Sequence, residues 1–430
     1  MRIDGRGSVS GDSSLHPWTS LRQALARARF VLPAMIVTLA LLLAACGSDE
    51  NSGSDSAGGG DEKAAATDEP IVIGVATAQS GWMVPFDAPA LAAAEIRLKE
   101  LNDAGGILDR EVKFVYADTK SDVNEAANAA VKVIDKGADL LMITCETDQG
   151  RPAALAASEK NLLVMSICAS SPKWLQLPPT NYSMTFGSPT EGGAIAQWAT
   201  EGESSPGCDT AYILTDTSID YSKSIGETYI PRYYKGEIVG KDSFKNGDPS
   251  FQSQVTRLQG LSTQPDCIFL SSYPPGGATV VRQLRAAGVD QPILSMEGME
   301  GDFWIEAVAN LSDFYAVSFA SFYGDDPNEK VNDLAKQVAT KMGEPIPVST
   351  FVNGYSVMEA FERAITRAKS TETAAVKAEL DKFNGEDLLL GPTTFTNEMR
   401  QSFGRPVRIT QVQNGKASFL EVFEPHEIKP

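Results

Sequence analysis

Histidine is almost absent: the 430 residues hold two, His16 and His426. A nucleophile–histidine–acid arrangement would therefore rest on His426, which lies beyond the last strand read from the sequence. The segment Glu297-Gly298-Met299-Glu300 offers paired carboxylates, but an acidic chain of this size carries many such pairs, and solvated loops explain them. No catalytic residue is assigned, and an extracytoplasmic hydrolase stays the weakest alternative. No C-x-x-C pair occurs among the five cysteines, so zinc is not expected, nor any other metal or cofactor. A phosphate cradle is missing as well, since no G-x-G-x-x-G comes after the first strand and no P-loop is present. Positive charge is scarce: 37 Lys and Arg face 56 Asp and Glu. The first 45 residues carry +3 of the overall −19, which leaves the remainder at −22. A surface so acidic excludes nucleic acid as a partner.

The chain opens on an export signal. Arg22, Arg27 and Arg29 precede an apolar run from Phe30 to Ala45, which ends in Leu43-Ala44-Ala45-Cys46. A basic flank, a short apolar core and small residues before a cut define such a signal, and the core is short for a spanning helix of about 20 residues. The ending resembles the lipobox of bacterial lipoproteins, which implies lipidation of Cys46 and attachment to the membrane. An uncleaved N-terminal anchor is the competing reading. From Gly47 to Glu69 the chain is rich in Gly, Ser, Ala, Asp and Glu with Lys63 its only base, an acidic flexible tether unable to bury apolar surface. The expected organisation is thus a signal over 1–45, a tether over 46–69, and a folded part from about Ile71 onward.

The folded part alternates short apolar strands with amphipathic helices. Ile71–Ala76, Val112–Tyr116, Leu140–Thr144 and Leu162–Ile167 read as buried strands. Between the first two, Leu91, Ala94, Leu98 and Leu101 fall at helical spacing until Gly105-Gly106 ends the helix. Asp122 with Glu125 forms a capping box for the next helix, which Gly137 closes. The alternation then restarts: Ala211–Thr215, Glu237–Phe244, Cys267–Ser271 and Pro292–Ser295 are strands separated by three helices. A hairpin comes late, Val407–Val412 and Ala417–Val422, turned at Asn414-Gly415. This pattern predicts two doubly wound parallel-sheet α/β lobes. Ligands of such sheets bind beyond the carboxyl ends of the strands. The loops to watch are therefore Gln79–Asp87, Cys145–Gln149, Cys168–Pro172, Ser218–Ser222, Ser272–Gly276 and Met296–Met299.

Several short motifs occur in a particular order. They are Ile73-Gly74 with Ser80-Gly81 and Phe86, Leu101-Asn102-Asp103-Ala104-Gly105-Gly106-Ile107-Leu108-Asp109-Arg110, Asp118-Thr119-Lys120-Ser121-Asp122, Asp248-Pro249-Ser250-Phe251 and Pro265-Asp266. In that order and spacing the chain resembles the ABC-transporter solute receptors typified by the leucine/isoleucine/valine-binding protein, the type I periplasmic binding proteins. The resemblance runs from Ile71 to Val422 and implies a hinge of three crossovers between the lobes. Lobe 1 is then expected over 70–188 and 322–385, and lobe 2 over 189–321 and 386–430.

The resemblance also implies a site. Thr147 and Ser170 align with hydroxyls that hold a substrate carboxylate, and Cys168 with a backbone contact. Tyr221 and Tyr273 align with aromatic residues of the second lobe, and Glu297 with the acid that holds the substrate ammonium. Trp82 and Phe86 are candidates for an aromatic wall. The chain departs from the pattern at Phe86, where Tyr is common, and at Cys145 and Cys168, where small or aliphatic residues are usual. It departs again at Asp87, where Gly is frequent and an acid would stand at the cleft mouth. The resemblance and the export signal together imply a lipid-anchored extracytoplasmic receptor, expected to be monomeric. Such a receptor captures a small polar solute (an amino acid or related amide) and delivers it to an ABC permease. The ligand-sensing half of a signalling system is the alternative of another class. Four cysteines remain after Cys46. A sheet ordered 2-1-3-4-5 would pair Cys208 with Cys267 and Cys145 with Cys168.

Overall fold

The computed structural model describes residues 69–430; the export signal, Cys46 and most of the tether lie outside the described residues. The first sheet is built from β1 (Ile71–Thr77), β2 (Val112–Asp118), β3 (Leu140–Ile143), β4 (Leu163–Ser166) and β5 (Asn181–Ser183). All its pairs are parallel, in the order β2-β1-β3-β4-β5. The central strands β3 and β4 are buried at every residue, which is why they read as continuous apolar runs rather than alternating ones. Helix α1 (Val84–Asp103) lies on one face. Helices α2 (Val123–Asp135) and α3 (Thr147–Glu159) close the other, where Val133, Ala154 and Ala157 pack on Leu141 and Ile143.

The motif at the end of α1 has a local cause. Gly105 and Gly106 take positive φ values of 104° and 85°, and a Cβ on Gly106 would lie 1.9 Å from the Arg110 carbonyl oxygen. Only glycine fits there. Asn102 then clamps the next strand, donating to the Val112 carbonyl at 2.9 Å and accepting from the Val112 N–H at 2.8 Å. Asp122 caps α2 as expected, accepting from the Asn124 N–H at 2.7 Å.

Helix α4 (Gly187–Glu201) carries the chain into the second lobe. It is buried along nearly all its length, so it shows no polar face and no amphipathic period that a sequence reading could find. The second sheet contains β6 (Thr210–Asp216), β7 (Glu237–Phe244), β8 (Cys267–Ser271), β9 (Ile293–Ser295) and β10 (Phe314–Ser318). Their order, β10-β9-β8-β6-β7, is again 2-1-3-4-5. The helices of this lobe are α5 (Asp220–Ser224), α6 (Ile230–Tyr233), α7 (Gln252–Gln259) and α8 (Gly276–Ala286).

The chain then returns to the first lobe as α9 (Glu329–Met342), α10 (Phe351–Ala368) and α11 (Thr373–Leu380). Helix α10 approaches α1 so closely that a Cβ on Gly354 would sit 2.0 Å from the Ala90 carbonyl oxygen. A small hairpin comes next, β11 (Glu386–Leu388) and β12 (Gly391–Thr393). Residues 386–395, expected in lobe 2, pack on lobe 1 instead. Glu386 pairs with Arg363 of α10 at 2.7 Å, and the Phe395 ring meets Tyr182 of β5 at 5.3 Å. The last crossover therefore comes after Phe395. It leads to β13 (Val407–Gln413) and β14 (Lys416–Phe423), antiparallel additions beside β10. Their turn has Asn414 and Gly415 at φ 52° and 73°, the left-handed pair of a two-residue hairpin loop.

Cys208 is joined to Cys267, with Cα atoms 5.7 Å apart, at the amino ends of neighbouring β6 and β8. Asp266 pins the same edge by accepting from the Thr210 N–H and hydroxyl, both at 2.9 Å. Cys145 is joined to Cys168, Cα atoms 4.4 Å apart, beyond the carboxyl ends of β3 and β4.

Candidate functional site

A narrow cavity, with about 30 Å³ of enclosed space, opens where the carboxyl ends of the two sheets face one another. Most of its lining comes from loops directly after strands. Met83 and Trp82 come after β1, Glu146 after β3, Cys168 and Ser170 after β4, Tyr221 after β6, Tyr273 after β8, and Glu297 after β9. Seven of the eight ligand candidates line it: Trp82, Phe86, Cys168, Ser170, Tyr221, Tyr273 and Glu297.

Thr147 does not. Its buried hydroxyl accepts from the Ser171 N–H at 3.1 Å, which fixes the loop carrying Ser170. Its neighbour Glu146, the cap of α3, faces the cavity instead. Asp87 is the second correction. It does not line the cavity but is buried behind it and ties the ends of β1 and β3 together, accepting from the Ala78 N–H at 2.7 Å, the Cys145 N–H at 2.9 Å and the Thr144 hydroxyl at 2.5 Å. Burial nevertheless raises its pKa to about 6. Its role is to hold the strand ends in register, where a glycine would leave three donors unmet.

The two lobes meet around the cavity. The ring of Trp82 from lobe 1 lies 5.4 Å from that of Tyr273 from lobe 2. Asp220 at the start of α5 pairs with Lys173 and accepts from the Ser171 hydroxyl, both in lobe 1. The Asp220 N–H donates back to Asp148 at 3.2 Å. Where the chain crosses between lobes, Phe186 and Phe319 pack ring against ring with centroids 4.2 Å apart.

Electrostatically the cavity is one-sided. Three carboxyl groups, Glu146, Glu191 and Glu297, line it, and the lining contains no Lys, Arg or His. On the lobe 2 side they form a connected cluster. Tyr221 donates to Glu191 at 2.7 Å and accepts from the Gly298 N–H at 2.9 Å, while the Glu297 N–H reaches the same Glu191 oxygen at 3.4 Å. Behind them, Glu300 accepts from the Ser349 hydroxyl at 2.7 Å. Burial first, and then the neighbouring Glu300 and Glu191, push the Glu297 carboxyl well above the usual range. Burial raises Glu191 to about 8 and Glu300 to about 7. Glu146 is pushed up to about 8 by burial, with Asp148 adding to the shift. One oxygen of Glu297 and one of Glu146 are buried and accept no hydrogen bond. Buried acceptors without donors are costly, so both carboxyl groups are arranged for a cationic or N–H-bearing guest.

Comparison with known proteins decides the family. The profile described as periplasmic binding protein matches residues 70–417. The chain belongs to the periplasmic binding protein family. The Leu/Ile/Val-binding protein homolog 3 of Brucella melitensis is 24% identical over 312 residues, 72% of this chain and 82% of the relative. The leucine-specific-binding protein of Salmonella typhimurium is 22% identical over 76% of this chain and 87% of its own length. Among solved structures, the branched-chain amino acid transporter substrate binding protein LivJ of Streptococcus pneumoniae, in complex with isoleucine, superposes with a TM-score of 0.73. It is 23% identical, and the match covers 83% of this chain and 100% of that one. A solute binding protein of an ABC transporter from R. palustris, in complex with benzoate, gives a TM-score of 0.67 at 17% identity, over 84% of this chain and 98% of that one. This periplasmic binding protein is of the type I, leucine/isoleucine/valine-binding group, a family of solute receptors rather than enzymes, and the family places it outside the cytoplasm. No helix among its described residues is long and apolar enough to cross a membrane.

Proposed function

We propose that this receptor is the substrate-binding lipoprotein of an ABC importer and captures a small amine-bearing solute, an amino acid or related amide, between its lobes. The observation that carries the reading is Glu297. It comes directly after β9 and lines the interlobe cavity, buried, with one oxygen unsatisfied. An ammonium there meets charge-assisted acceptors, roughly twice as strong as neutral ones. Tyr221, Tyr273, Trp82 and Phe86 enclose the apolar body of the solute. Ser170 and the rigid Cys145–Cys168 floor bound it on the lobe 1 side. A solute touching both lobes binds the closed form better and shifts the population toward it, and the closed form is what a permease would engage. Native mass spectrometry of freshly purified protein, then calorimetry with the molecule released, tests the reading. A retained amine is the expected result, and a retained solute with no nitrogen donor would sink it.

The lipid anchor belongs to the same proposal and rests on the small-residue cut that ends the apolar run at Cys46. Cys46→Ala is expected to release the protein into the medium or leave its precursor uncut, read by membrane fractionation. A cleaved variant that stays on the membrane would remove the anchor from the proposal.

A further inference from the structure

We infer that the solute carries nitrogen donors at both ends and no carboxylate, so that a short diamine or an amino amide fits this cleft and a free amino acid does not. The inference rests on the reading of the cleft as an amine-binding site and concerns its opposite, lobe 1 end.

A free amino acid needs donors for its carboxylate there. The side chains of the lobe 1 end offer few, and none of them is basic. The Thr147 hydroxyl is turned to the Ser171 N–H. Cys145 and Cys168 are joined to each other. Ser170 contributes one hydroxyl. Beside it stands Glu146, 8% exposed, with one oxygen accepting from the Gln149 N–H at 2.9 Å and the other buried with no partner. A buried acceptor in that place calls for a donor on the ligand, and once Glu146 is ionised a carboxylate brought to it meets like charge.

The groups facing Glu146 reinforce this. Asp148 on α3 and Asp220 on α5 both raise it further, and the Tyr273 phenol feels its charge. The nearby Lys173 is committed to Asp220. At the other end Glu191, Glu300 and Tyr221 surround Glu297. The rest of the lining includes the apolar side chains of Phe86, Phe319 and Ile219, which suit a short methylene chain. Both carboxyl groups lie above the usual range in the folded protein. Binding of a cation at each end therefore expels protons, and affinity rises as pH climbs toward the Glu146 value of about 8 while the ligand stays charged. A protonated Glu146 donating to a ligand carboxylate would give the opposite slope.

Calorimetry on the purified full chain separates the cases, using leucine, leucinamide, and α,ω-diamines of three to six carbons. Diamines remain charged over the range because simple alkylamines ionise near the lysine value of about 10.4. Leucinamide or one of the diamines is expected to bind at least about tenfold tighter than leucine at neutral pH. Its measured enthalpy should change with the ionisation heat of the buffer, reporting proton release. Glu146→Ser, which retains a good cap for α3, is expected to reverse the order in favour of leucine. Leucine binding as tightly as its amide, with affinity rising as pH falls, overturns this inference and leaves the amine-capture reading intact. Failure of every probe with both the unaltered chain and Glu146→Ser overturns the two together.

Discussion

Replacing Glu297 by Gln is expected to weaken capture of an amine-bearing solute by at least about tenfold, because half of a charge-assisted contact is lost while its shape is kept. The same change should raise the melting temperature of the unliganded protein. Glu297 is held among Glu191 and Glu300 with an unsatisfied buried oxygen, an arrangement that favours binding at the expense of stability. A neutral amide there keeps a donor that Glu300 can accept and removes the cost of holding a proton on a buried carboxyl that would ionise in the unfolded chain. The paired readout, affinity down and melting temperature up, distinguishes a ligand-binding acid from a structural one. Loss of both would mean that Glu297 supports the lobe. Unchanged affinity for the identified solute would mean that the ammonium sits elsewhere, with Glu191 or Glu146 the next to vary.

The fold was legible because its signals are local and strong. β1, β3 and β4 are apolar without alternation, the Gly105-Gly106 stop has a steric cause at the Arg110 carbonyl, and Asn414-Gly415 supplies the two left-handed residues that a tight hairpin needs. β5 and β9 span three residues each, too few for a periodicity, although the apolar run Pro292–Ser295 reads as a strand and contains β9. β10 and α4 leave no such mark in the sequence. Strand β10 and nearly all of α4 are buried, so neither shows the contrast of polar and apolar faces on which sequence reading depends. The site was legible as a set of loops, since the rule of strand carboxyl ends includes Cys145–Gln149 and so contains Glu146. It was not legible residue by residue. Which of Glu146 and Thr147 turns inward depends on the cap that Glu146 makes for α3 and the bond that Thr147 receives from Ser171. Asp87 has the sequence character of a surface acid, and only the fold brings its three donors together from the ends of β1 and β3. Glu191 sits on the helix that gave no signal at all.

The buried acids also fix how the unliganded protein responds to pH. Free carboxyl groups of the unfolded chain titrate near 4.5, or 3.8 for Asp, whereas in the folded protein Glu146 and Glu191 titrate at about 8, Glu300 at about 7 and Asp87 at about 6. Between those limits the folded state holds more protons than the unfolded state, so stability must fall as pH rises. Their contribution is fully present below the unfolded value near 4.5 and is lost as pH climbs through 6 to 8. The usual acidic protein behaves otherwise, because paired carboxylates with depressed values lose stability on acidification. Glu386, held low by Arg367 and Arg363, is such a group here, and it acts only below its ordinary range. The melting temperature of the unliganded protein is therefore expected to drop by several degrees between about pH 5.5 and pH 8.5, at roughly 2–4 °C per kcal/mol for a domain of about this size. General repulsion within a chain of net charge −19 pushes in the same direction, but it is screened by salt within about 3 Å at 1 M. The drop from buried groups should survive that salt. Glu191→Gln removes one titrating carboxyl and should flatten the slope, and a solute that neutralises the cluster should flatten it further. A melting temperature that holds level or rises between about pH 5.5 and pH 8.5 in high salt would show that water reaches these carboxyl groups. The cleft of the unliganded protein would then be wet, and its acids would titrate as surface groups do.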